Sequence, residues 1–131
     1  MPTPAFRVAL VGMGAVIVFD AIASLASLGT GFNYEYSAFG SLLLYGAFGY
    51  WAGRVRTITS AAFVGALMGL SDASLGWAVS WILGPGRWES GIPSLTTWAL
   101  IALQIVAVAA LCGLLGGVLG KYLPGGKRRE A

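Results

Sequence analysis

Apolar residues fall into four long runs along the chain, separated by short joints that are polar or rich in glycine. The runs extend from Phe6 to Leu28, Tyr36 to Gly53, Ile58 to Leu83 and Thr97 to Tyr122. A helix that crosses a bilayer needs about 20 mostly apolar residues, and each run is about that long. Lipid cannot satisfy free backbone N–H and C=O groups, so open segments in it must be helical. Four short segments without apolar/polar alternation cannot close a barrel. The pattern therefore predicts an all-α integral membrane protein, a four-transmembrane-helix bundle over residues 1–123, followed by a basic cytoplasmic tail at 124–131. The joints are a Gly29–Asn33 loop, a tight Arg54–Thr57 turn and a longer Gly84–Pro93 loop. The first run is read as a permanent span rather than a cleaved leader. It is long, and Asp20 directly precedes Ala21-Ile22-Ala23, the one stretch that resembles a cleavage site.

Composition narrows the function classes. The chain has 131 residues, of which 57% are hydrophobic and 10% charged, and its mean hydropathy is +0.80. Soluble domains carry roughly 25% charge, so this chain lacks the polar surface of a soluble enzyme. The net charge of +3 comes from residues at the ends of the runs, which argues for membrane orientation and against a nucleic-acid partner. With no histidine and with Cys112 as the only cysteine, disulfide frameworks, Cys/His zinc sites and Cys–His or Ser–His catalysis are excluded within one chain. The expectation is a protein that is not an enzyme and takes no cofactor.

Orientation follows from the basic residues. Arg7, Arg54, Arg56, Lys121, Lys127, Arg128 and Arg129 fall at the N-terminus, the second joint and the C-terminus, whereas Arg87 alone falls on the opposite side. This asymmetry places both termini in the cytoplasm. The opposite face carries Tyr34, Tyr36, Trp81, Trp88 and Trp98, as expected of an interfacial aromatic belt. Compactness and tight joints suggest a prokaryotic inner membrane.

The glycines have a packing role. Gly49 and Gly53, Gly65 and Gly69, and Gly116 and Gly120 form small-xxx-small pairs, which let helix backbones approach closely in lipid. The second and fourth runs also echo each other: Gly46, Gly49, Gly53 and Arg54 have the spacing of Gly113, Gly116, Gly120 and Lys121. That echo predicts a parallel repeat of two helical hairpins.

Asp20 and Asp72 carry the chemistry. Each lies inside an apolar run, where a charge costs about 2.5–3.5 kcal/mol on insertion scales. Counting from Arg7 and Arg56 at 1.5 Å per residue, both lie about 20–24 Å from the inner anchors, so two helices could bring them to one level. Ser24 shares a stripe with Asp20, and Ser71 and Ser74 flank Asp72. No Lys or Arg lies within a run at that depth, so at least one acid is expected to carry a proton near pH 7. Asp20, Asp72, Ser24, Ser71 and Ser74 are thus the proton- or cation-binding candidates. The function they suggest is a proton- or cation-coupled transporter, or a channel-like protein, for a small solute. The alternative is a non-catalytic subunit or assembly factor of a larger membrane complex, with the acids as hydrogen-bonding glue. Four helices enclose little space, so the expected partners are the bilayer and a second copy in a homodimer, or a larger complex.

Overall fold

A computed structural model describes residues 1–123; the basic tail expected at 124–131 lies outside the described residues. The described residues form helices, joined by turns and without strands. In order they are α1 (Pro4–Thr30), a 3-10 turn (Tyr34–Tyr36), α2 (Ser37–Val55), α3 (Ile58–Ser71), a π-helical turn (Asp72–Gly76), α4 (Trp77–Leu83) and α5 (Leu95–Tyr122). α3, the π turn and α4 form one continuous rod. Three rods are long and apolar enough to cross a membrane: Pro4–Thr30, Ile58–Leu83 and Leu95–Tyr122. α2 is shorter and less apolar. Its 19 residues still span about 28 Å at 1.5 Å per residue.

Local chemistry sets the helix ends. Thr3, Thr57 and Ser94 each accept a hydrogen bond from a first-turn N–H through the side-chain oxygen, satisfying a donor the helix itself leaves free. Thr57 does this directly after the α2 terminus, which is why the α2–α3 joint is so tight. Gly31 ends α1 at φ 72°, a left-handed conformation that costs glycine no Cβ clash.

The packing is small inside and large outside. The core cluster comprises Val8, Ala9, Val16, Tyr45, Ala52, Ala61, Val64, Met68 and Ala109, whereas Leu43, Ile82, Leu100, Leu103 and Leu111 are exposed. Apolar outer surfaces suit lipid, where helices associate through close van der Waals packing rather than a hydrophobic force.

The expected packing glycines lie at helix contacts. A Cβ on Gly49 would meet the backbone of Gly113, and one on Gly53 the backbone of Gly117. Gly116 and Gly120 lie against the main chain of Gly46 and Tyr50. α2 and α5 therefore run parallel, main chain against main chain, over the half that ends at Arg54 and Lys121. Gly65 and Gly69 seat α3 against Ala109 of α5, and Gly12 of α1 receives Met68 of α3.

The expected hairpin repeat is not expressed in this packing. The two echoing glycine series do meet reciprocally across one interface, Gly49 on Gly113 and Gly116 on Gly46, but the remaining helices do not follow that relation. α2 contacts α3, but α1 and α5 share no contact among the described residues. A two-fold relation between the hairpins would make those two pairs equivalent.

Candidate functional site

Toward the other end α2 and α5 part, leaving a cavity of about 490 Å³. Its apolar walls are Ala38, Leu42, Ile105 and Val108, with Trp77 from α4, and Ser37, Ser41, Ser80 and Gln104 add polar groups among them. Glu35, Arg87 and Trp88 stand at its mouth, and Asp20, Asp72 and Tyr45 lie at its floor.

α1 delivers Asp20 to the floor with only 3% of its surface exposed. The π turn delivers Asp72. The two carboxyls face each other over the Cα of Gly76: a Cβ built there would strike Asp20 Oδ2 and stand 3.1 Å from Asp72 Oδ1. A glycine at 76 is thus what gives the pair its room. Tyr45 reaches across from α2 and donates its hydroxyl to Asp72 Oδ2. Tyr34 donates to Asp20 Oδ1 at 3.3 Å. Asp20 Oδ2 is buried and has no hydrogen-bonding partner among the described residues. Carboxylate oxygens only accept hydrogen bonds, so two neighbouring carboxylates repel each other unless a proton or cation comes between them.

Tyr34 reaches this depth because the loop turns back down α1. Ser27 donates its hydroxyl to the Phe32 carbonyl at 2.6 Å, and Asn33 caps the 3-10 turn through Glu35 N–H at 3.0 Å. The Tyr34 phenol then lies near Ser24, Ser37 and Ser80. Burial pushes that phenol above its ordinary value, and the nearby hydroxyls oppose the shift. Tyr34 therefore remains a donor at neutral pH.

The π turn follows from its hydrogen bonds. Trp77 N–H reaches back five residues to the Asp72 carbonyl instead of four residues to Ala73. The Ala73 carbonyl instead accepts the indole N–H of Trp98 on α5 at 3.0 Å. Such single wide turns recur at functional sites; here the turn begins at Asp72 itself. Replacing Trp98 with phenylalanine keeps the ring but removes the donor. Stability should fall by about 1 kcal/mol, measured by unfolding in mixed micelles with increasing SDS; an unchanged midpoint would show that the wide turn holds without α5.

Among the expected site residues, Asp20 and Asp72 are brought together. Ser24 and Ser71 are buried beside them without hydrogen-bonding partners, and neither lines the cavity. Ser74 is turned away: its hydroxyl donates to the Leu70 carbonyl of its own helix at 2.6 Å. Arg87 does not pair with Asp72. Its guanidinium donates to the carbonyls of Trp81 at 2.8 Å and Ile82 at 3.2 Å, closing the end of α4. Gln104 is exposed and lines the cavity. Sequence reasoning missed Tyr34 as a partner of Asp20. Its only signal is the Gly31–Asn33 turn, which sends the chain back over α1.

The chain matches no protein-family model, no curated protein and no solved structure.

Proposed function

We propose that this chain is a four-span inner-membrane protein, both termini cytoplasmic, that carries a small solute by exchanging it against protons or cations at Asp20 and Asp72. One observation carries the reading: two acids meet at the floor of a cavity, and the single cation in its lining, Arg87, is committed to backbone carbonyls. Ionisable groups within spans characteristically mark proton and ion pathways. A cavity of this volume is within the 300–1,000 Å³ range of small-molecule sites.

α2 supplies the fourth span, since Arg54 at its end and Lys121 at the end of α5 lie on the same side as Arg7. That clustering supports a cytoplasmic placement for this end. The protein works without catalytic residues or cofactor, as a homodimer in the membrane.

The test is exchange in proteoliposomes. A panel of amines, amino acids, sugars and organic acids is screened for collapse of an imposed pH gradient, read by an entrapped pH dye against protein-free liposomes. At least one solute should collapse the gradient through the wild-type protein. Asp20→Asn and Asp72→Asn should each slow that collapse at least about tenfold, because asparagine cannot exchange a carboxyl proton. If no solute does so, and a second polypeptide co-purifies from native membranes, the chain is a subunit or assembly factor instead.

A further inference from the structure

Resting on the carrier reading above, we propose that the cavity binds a small organic monocation with N–H donors, a primary ammonium on an alkyl or aromatic body, seated on the Asp20–Asp72 pair. The floor and the walls point to the same chemistry. At the floor, Asp20 Oδ2 is buried without a partner and faces Asp72 over Gly76. An ammonium has three donors and no acceptor. It can bridge the two carboxyls where a proton alone would otherwise stand, and its third donor can meet a phenol oxygen of Tyr34 or Tyr45. Hydrogen bonds between charged partners are about twice as strong as neutral ones.

The walls select for the rest of the molecule. Leu42, Ile105 and Val108 are apolar, and the rings of Trp77 and Trp88 face the same space. Such walls receive a hydrocarbon or aromatic body, and aromatic faces attract organic cations.

The donor set also argues against a metal ion as the ligand. Calcium takes six to eight oxygen ligands and magnesium near-ideal octahedral coordination. Among the described residues, no third His, Cys, Asp or Glu joins the two carboxyls in a cluster that could hold a metal ion; Glu35 stands apart at the mouth. An anion is disfavoured by the same two acids. Glu35 and Arg87 at the mouth are of opposite sign and leave the floor to set the charge preference.

The experiment is calorimetric titration of the full chain in detergent micelles with 2-phenylethylammonium, set against its neutral analogue 2-phenylethanol, the anion phenylacetate, and sodium and magnesium chloride. The ammonium should bind at least about tenfold more tightly than the alcohol, a difference of about 1.4 kcal/mol. The anion and both metal salts should give no saturable heat. Asp20→Asn and Asp72→Asn should each weaken ammonium binding at least about tenfold, with circular dichroism and micelle size unchanged.

Equal affinity for alcohol and ammonium would overturn the proposal and leave an apolar pocket only; this comparison needs no variant. Undiminished ammonium affinity in both folded variants would overturn it as well, and so would tighter binding of either metal. Binding is read without flux, so the outcomes separate. Ammonium binding with no exchange in liposomes supports the ligand class and removes the carrier. Exchange of a solute without ammonium binding does the reverse.

Discussion

Alanine at Gly49 should destabilise the protein by about 2 kcal/mol or more, whereas alanine at Gly46, one turn away on the same helix, should leave stability unchanged or raise it by up to about 1 kcal/mol. The two positions differ in what a methyl group would meet. At Gly46 the nearest atom is the Cys112 carbonyl oxygen at 3.9 Å, an ordinary contact. At Gly49 the methyl would stand 2.5 Å from Gly113 Cα and 2.7 Å from its carbonyl carbon. A side chain could rotate aside, but backbone cannot. α2 and α5 would have to separate, and the neighbouring contacts of Gly53 with Gly117 and Gly116 with Gly46 would open with them. Alanine is a better helix former than glycine by about 1 kcal/mol; that gain is unopposed at Gly46 and outweighed at Gly49. SDS unfolding in mixed micelles measures both variants under one condition. Equal midpoints would mean that the helices are not held by main-chain contact.

Gly76→Ala should abolish exchange, slowing it at least about tenfold, while the helices remain assembled. The added methyl takes the place of Asp20 Oδ2 and stands 3.2 Å from Asp20 Cγ. The aspartate side chain is short and has two rotatable bonds, so its carboxyl can swing away without moving α1. The cost falls on the site and not on the fold: the carboxyls part, and under the proposed exchange a proton or cation shared between them would lose one of its two holders. Gly14→Ala is the matched control, since no atom lies within 4 Å of a Cβ there. Gradient collapse in liposomes and circular dichroism, taken together, separate loss of the site from loss of structure. Undiminished exchange in Gly76→Ala would show that the acids work independently.

The elements could be read from the sequence because lipid leaves few choices. Apolar runs of spanning length must be helices, and Thr3, Thr57 and Ser94 cap three of them. The helix bounds of 58–83 and the end at Tyr122 coincide with the runs read from the pattern. The common depth of Asp20 and Asp72 could also be read, because a constant rise per residue turns distance from a basic anchor into depth; which way the two side chains turn could not. Three features were hidden. The π turn leaves hydropathy unchanged, so nothing in the pattern marks it. The Tyr34 contact depends on a loop folding back, which no periodicity encodes. Ser74 is a neighbour of Asp72 in sequence only, since it satisfies its own helix. The glycine echo has a physical counterpart in the α2–α5 seam: two helices that meet main chain to main chain need small residues at matching intervals, while α1 is packed against α2 and α3 and not against α5.

The glycine seam has a mechanical consequence. Interdigitated side chains lock two helices like gear teeth, and any change of angle must first disengage them. Between Gly49 and Gly113, and between Gly53 and Gly117, there are no teeth. α2 and α5 can scissor about that point with few rotamers to reset. A small change of angle at this pivot would become a larger change of gap between the walls at Leu42 and Val108, so the width of the cavity would be set from the far end of the molecule.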